Sequence, residues 1–111
     1  MQDNVNILCD ECFYGCENLK NIKFPKNLNV IGCNAFWGCT NLENIELNNC
    51  LQQIKEGAFD ECKSLTSFNI PNSVVDVADD VFYHCTQLKN INFGNNVKVI
   101  GESVVAHCDN L

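Results

Sequence analysis

The chain has 111 residues, 46% hydrophobic and only 19% charged, a balance that supports one packed domain and excludes a disordered one. Its net charge of −7, with the basic residues scattered, argues against nucleic-acid partners, because neutralising phosphates takes clustered Lys and Arg. No apolar run approaches the roughly 20 residues a helix needs to cross a bilayer, so no membrane insertion is expected, and the opening MQDNVNILCDEC lacks the basic and apolar stretches of a signal peptide.

Taken along the chain, the apolar residues keep a clock of 23. Residues 1–12 read as the second half of a unit, with Val5 and Leu8 in its last two aliphatic places, and whole units follow at 13–35, 36–58, 59–81 and 82–104 before a partial one at 105–111. Phe13, Phe36, Phe59 and Phe82 open the units, with Val105 in the fifth place. A cysteine follows each opening residue after three positions (Cys16, Cys39, Cys62, Cys85, Cys108) and a leucine after six (Leu19, Leu42, Leu65, Leu88, Leu111).

Next in each unit comes an alternating stretch such as LENIEL or LKNINF, the period-2 signature of a short half-buried strand. Pro25, Pro71 and Gly94 close it. A second extended piece, LNVIG or VKVIG, then leads into the turns CFYGC, AFWGC, AFDEC, VFYHC and VVAHC. So small a unit cannot bury its own apolar side chains. The coils must therefore stack as a repeat solenoid of about five 23-residue coils, each giving one strand to a parallel sheet and leaving little helix.

This pattern resembles the BspA-like leucine-rich repeats, read as L-x-x-I-x-[IL]-P-x-x-[LV]-x-x-I-G-x-x-A-F-x-x-C. Residues 19–39, LKNIKFPKNLNVIGCNAFWGC, match it with Phe24 in place of an aliphatic residue. The coil of Leu51, which follows NNC where proline is commonest, and that of Val105 depart from it. The resemblance implies a non-catalytic module that binds protein, many such proteins being surface molecules that contact host proteins or other cells. It fits the cell surface if the chain is part of a longer secreted protein, and the cytoplasm otherwise. A self-assembling structural segment and an intracellular scaffold are the alternatives.

Two surfaces are candidates for protein binding. Asn21 and Lys23, Asn44 and Glu46, Ser67 and Asn69, and Asn90 and Asn92 project outward from the strands as a polar, asparagine-rich face. Such a face suits an extended partner, or serves only solubility. Tyr14, Trp37 and Tyr83 each follow an opening phenylalanine and point away from the core. They are either interface anchors in line along one edge or half-buried packing between coils. No nucleophile with a paired base, phosphate loop or paired carboxylates is visible, so neither catalysis nor a cofactor is expected.

The nine cysteines form no zinc-finger spacing. Those in the column are expected to be buried and unpaired, because stacked neighbours hold their Cβ vectors parallel. Cys9, Cys12, Cys33 and Cys50 lie off the column and are expected to be the accessible thiols. His84 and His107 share a column and belong on adjacent coils, but a metal would need a further ligand. Apolar end coils predict a homo-oligomer, with Val104, Val105 and Leu111 or Val5, Ile7 and Leu8 at the contact.

Overall fold

The computed structural model describes residues 6–111, which wind into a parallel β-solenoid of about four turns with no helix. Val5 lies outside the described residues. Each coil contributes two short strands. The first series is Ile7–Leu8 (β1), Val30–Ile31 (β3), Gln53–Ile54 (β5), Asp76–Val77 (β7) and Val99–Ile100 (β9). The second is Asn21–Lys23 (β2), Asn44–Glu46 (β4), Ser67–Asn69 (β6) and Asn90–Asn92 (β8).

The register is the sequence period itself: Ile7 pairs with Val30, Ile31 with Ile54 and Asn21 with Asn44. Stacking identical coils puts each residue beside its copy, so every sequence column becomes a ladder. Phe36, Phe59 and Phe82 are fully buried. Their rings stack nearly parallel, Phe36 to Phe59 at 5.2 Å and Phe59 to Phe82 at 5.8 Å, with Phe13 on Phe36 at 5.3 Å. Leu42, Leu65 and Leu88, and Ile31, Ile54 and Val77, line the rest of the core.

The turn around each opening phenylalanine carries two backbone columns with positive φ. One is Glu11, Asn34, Gly57, Asp80 and Ser103; the other is Gly15, Gly38, Glu61, His84 and His107. The glycine of AFWGC is thus the residue best suited to its place, since a Cβ costs roughly 1–2 kcal/mol in the left-handed region.

The sheets differ from the single one-strand-per-coil sheet expected from the alternating stretches. The second extended pieces make the continuous sheet, five strands in the order β1-β3-β5-β7-β9, whereas the LxxIx strands divide into β2-β4 and β6-β8. Aromatic side chains supply a reason. Phe68 packs 5.1 Å from Phe59 and 4.8 Å from Phe82, leaning toward the following coil, and Phe24 lies edge-on to Phe36 at 5.7 Å in the same sense. The intervening coil has only Ile45 and Leu47 at these positions, with no ring to reach onto Phe59. The phenylalanine stack runs through all these coils, but on the strand side the rings of Phe24 and Phe68 tie 13–35 to 36–58 and 59–81 to 82–104 only, and the strand face parts between these pairs.

Side-chain bonds reinforce the same pairing. Asn48 Nδ2 donates to Pro25 O (2.6 Å) and Leu28 O (2.8 Å), and Asn96 Nδ2 donates to Asn72 O (2.8 Å). On the flank of the parted junction the buried Ser73 hydroxyl has no hydrogen-bond partner among the described residues.

Candidate binding surface

The parting of β4 from β6 opens a cleft of about 610 Å³ on the strand face. Asn44, Glu46, Ser67 and Asn69 stand at its rim, with half-buried Ile45 and buried Phe68 between them. Among the described residues, the only charged ones lining it are Glu43 and Glu46. Beside it, Asn44 Nδ2 donates to Asn21 Oδ1 (2.7 Å) and the Lys23 ammonium lies 4.0 Å from Glu46. The Asn92 carboxamide oxygen accepts from Gly94 N (2.9 Å). Asn21, Asn44 and Asn92 thus spend part of their hydrogen-bonding capacity on the protein, while the exposed side chains of Asn69 and Asn90 have no protein partner among the described residues.

Along the turn edge, the three aromatics do not form one line. Tyr14, exposed, stacks on half-buried Trp37 at 4.8 Å and 10°. The next place in the column is Asp60, whose carboxylate accepts a hydrogen bond from the Trp37 indole. Burial, and then the nearby Glu61 and Asp80 carboxylates, push the Asp60 carboxyl up to about 6. Tyr83 belongs to a separate group, edge-on to His84 at 4.3 Å and to His107 at 5.3 Å. The two imidazoles lie 4.7 Å apart on adjacent coils, with Glu61 Oε1 3.8 Å from His84 Nδ1. Among the described residues no group of three or more His, Cys, Asp or Glu is placed to hold a metal.

All nine cysteines are free. Cys39, Cys62, Cys85 and Cys108 are buried, and each donates its thiol to the carbonyl of the opening phenylalanine one coil earlier, for example Cys62 Sγ to Phe36 O at 3.2 Å. A thiol is small enough for the interior of the turn and adds a second hydrogen bond to a carbonyl that already accepts the amide three residues on, as Phe36 O does from Cys39 N. Burial pushes the Cys39 thiol up to about 11 and raises Cys62 and Cys85 further.

A sequence profile for the BspA type leucine rich repeat region matches residues 1–111 in six copies. The chain belongs to the BspA-type leucine-rich-repeat family. Its fold is similar to that of a leucine rich cell surface protein from Faecalibacterium prausnitzii, with 32% identity and a TM-score of 0.95 over 100% of this chain and 29% of that one. A leucine-rich repeat protein from Bacteroides ovatus is 30% identical with a TM-score of 0.81, matching 100% of this chain and 34% of its own length. The T. pallidum leucine rich repeat protein is 25% identical with a TM-score of 0.61, over 96% of this chain and 72% of that one. The chain thus spans about a third of the length of the first two. No curated protein matches it.

In this BspA-type solenoid the polar strand residues named from the sequence do stand outward, and Cys9, Cys12 and Cys50 are exposed while Cys33 is half-buried. Sequence reasoning missed the cleft, because no column breaks where the sheet does. It also missed the carboxylates of Asp10 and Asp79, which accept the amides of Cys33 and Glu102 on the next coil, both at 2.8 Å. Their signal was present: an acidic residue precedes four of the five left-handed positions of that column, at Asp10, Glu56, Asp79 and Glu102, with Cys33 in the remaining place. At the end coils, Val104 and Leu8, two of the expected contact residues, are buried within the chain. The exposed apolar side chains there are Ile7, Val99, Ile100, Val105 and Leu111.

Proposed function

We propose that this chain is a non-catalytic recognition segment of a larger surface protein, binding a protein partner through the strand face centred on the β4/β6 cleft. The observation that carries the reading is the cleft: a concavity of about 610 Å³ whose rim presents Asn, Ser and Glu over an apolar floor. That combination supplies both hydrogen-bond specificity and area to desolvate. The likeness to a cell surface protein favours the surface setting. Selection of binders from a displayed protein-domain library tests it. Binders should lose at least about tenfold in affinity on Asn44→Arg with Asn69→Arg, and nothing on Gln52→Arg with Glu56→Arg away from that cleft. The opposite dependence would overturn it.

A second reading, a structural segment that assembles through its end coils, rests on the exposed Ile7, Val99, Ile100 and Leu111. Burying such side chains contributes roughly 1.5–3 kcal/mol each when complete.

A further inference from the structure

The junction between coils 36–58 and 59–81 is anchored on both sides of the strand face. At the turn, Ser64 Oγ donates to Thr40 O at 2.6 Å and Cys62 Sγ to Phe36 O; on the other side Val75 N donates to Gln52 O at 2.9 Å and β5 pairs with β7. Between these anchors no backbone hydrogen bond joins residues 42–51 to residues 65–74. The same stretch is fully laddered at the neighbouring junctions, where Glu43 N and Asn44 N donate to Lys20 O, Phe24 N to Glu46 O, Lys89 N to Thr66 O and Ile70 N to Asn92 O.

The width of the opening is informative. No Cα of β4 comes within 8 Å of a Cα of β6, whereas paired strands lie about 4.8 Å apart. The gap therefore exceeds one strand spacing, and two spacings, about 9.6 Å, are what one missing strand would leave.

Backbone polar groups alternate in direction along a strand. Asn44 N donates to Lys20 O and Glu46 O accepts from Phe24 N, so these two residues spend their backbone groups on β2. Ile45 N–H and C=O therefore face the gap. On the other side Thr66 O accepts from Asn90 N and Ile70 N donates to Asn92 O, so Thr66, Phe68 and Ile70 face β8. Ser67 and Asn69 are left with N–H and C=O aimed back across the gap. Two strand edges confront each other with donors and acceptors unspent, the arrangement that recruits an added strand.

We propose that the gap is a receptor slot for one extended polypeptide segment of a partner protein, which enters between β4 and β6 and restores a five-stranded sheet. The proposal rests on the reading of the strand face as the interaction surface. The occupant hydrogen bonds Ile45 on one side and Ser67 and Asn69 on the other. Its inward side chain meets Ile45 and Phe68, which calls for an apolar residue. Its outward side chains lie beside Glu43 and Glu46, the only charged ones among the described residues lining the cleft, in a chain of net charge −7. The segment is accordingly basic, with cationic and apolar residues alternating.

Amide hydrogen exchange by NMR tests this with three synthetic peptides: alternating lysine and valine, alternating glutamate and valine, and the lysine peptide N-methylated at alternate residues. In the free protein, Ile45, Ser67 and Asn69 amides should exchange much faster than those of Phe24 and Ile70. The lysine peptide should slow them by at least about tenfold. Glu43→Lys with Glu46→Lys should weaken that peptide by about tenfold and favour the glutamate peptide, and N-methylation should abolish protection. The slot is overturned if the free amides are already as protected as Phe24, if a saturating lysine peptide leaves them unprotected, or if the N-methylated peptide binds equally. Partners that need Asn44 and Asn69 while these amides stay unprotected would refute the slot and leave the interaction surface standing.

Discussion

The indole of Trp37 donates a hydrogen bond to the carboxylate of Asp60, one coil further on in the same column. Trp37 is the only tryptophan, so its fluorescence reports the protonation of that one carboxyl. Burial and the Glu61 and Asp80 charges hold Asp60 up to about 6, against about 4 in an unfolded chain. Between those values the folded state keeps a proton that the unfolded state has released, so stability falls as pH rises from about 4 to about 6 and is level beyond. Fluorescence should titrate with a midpoint near 6. Asp60→Asn should remove that titration and be more stable than the parent at pH 7, with the two converging at pH 4. A stability gap that does not change with pH would contradict the assignment.

Phe59→Ala should destabilise far more than Trp37→Ala. Phe59 is fully buried and stacked between two rings, and truncating a core phenylalanine costs about 3–5 kcal/mol. Trp37 is half-buried and loses one stacking partner and one hydrogen bond, about 1–2 kcal/mol together. Denaturation midpoints of the two variants decide it, and equal shifts would refute the assigned facing.

Native thiol titration should label Cys9 and Cys50 promptly, exposed Cys12 less so because desolvation and the neighbouring Cys9 push its thiol up, and Cys16 and Cys33 slowly. Cys39, Cys62, Cys85 and Cys108 should react only after unfolding, because they are buried and their raised pKa values suppress the thiolate. Prompt labelling of Cys62 in the folded protein would count against the ladder.

The left-handed turn columns give opposite signs for two glycine changes. Ser103, exposed with φ 57°, should gain about 0.5–1 kcal/mol on Ser103→Gly, as relief of strain outweighs added freedom in the unfolded chain. Gly38→Ala, at φ 71° where an added Cβ would meet only Gly15 Cα in ordinary contact at 3.8 Å, should lose about 1 kcal/mol through backbone strain alone. Chemical denaturation of both checks the pair; a gain on Gly38→Ala would break the account.

Sedimentation of the 111-residue chain at micromolar concentration should show reversible association. Val99→Glu with Ile100→Glu, both more than half exposed, should shift it to monomer without unfolding it. A monomer across the dilution series would dispose of end-coil assembly.

The period by itself determined the solenoid, the inward facing of Phe36, Phe59 and Phe82, the burial of four of the five column cysteines, with Cys16 near the chain's end only half-buried, and the polar strand face. It could do so because each such property repeats: a residue stacked on its own copy must share its environment. What only the tertiary structure decided is where that equivalence fails. The columns of Ile22, Ile45, Phe68 and Ile91, and of Phe24, Leu47, Ile70 and Phe93, look like interchangeable apolar positions in the sequence. In three dimensions the rings of Phe24 and Phe68 reach onto the next coil and the aliphatic side chains of Ile45 and Leu47 do not. The sheet therefore closes at two junctions and opens at the one between. Hydrophobicity sets which side of a strand is buried, but ring size and reach set which neighbour it packs against, and a one-letter column records only the first.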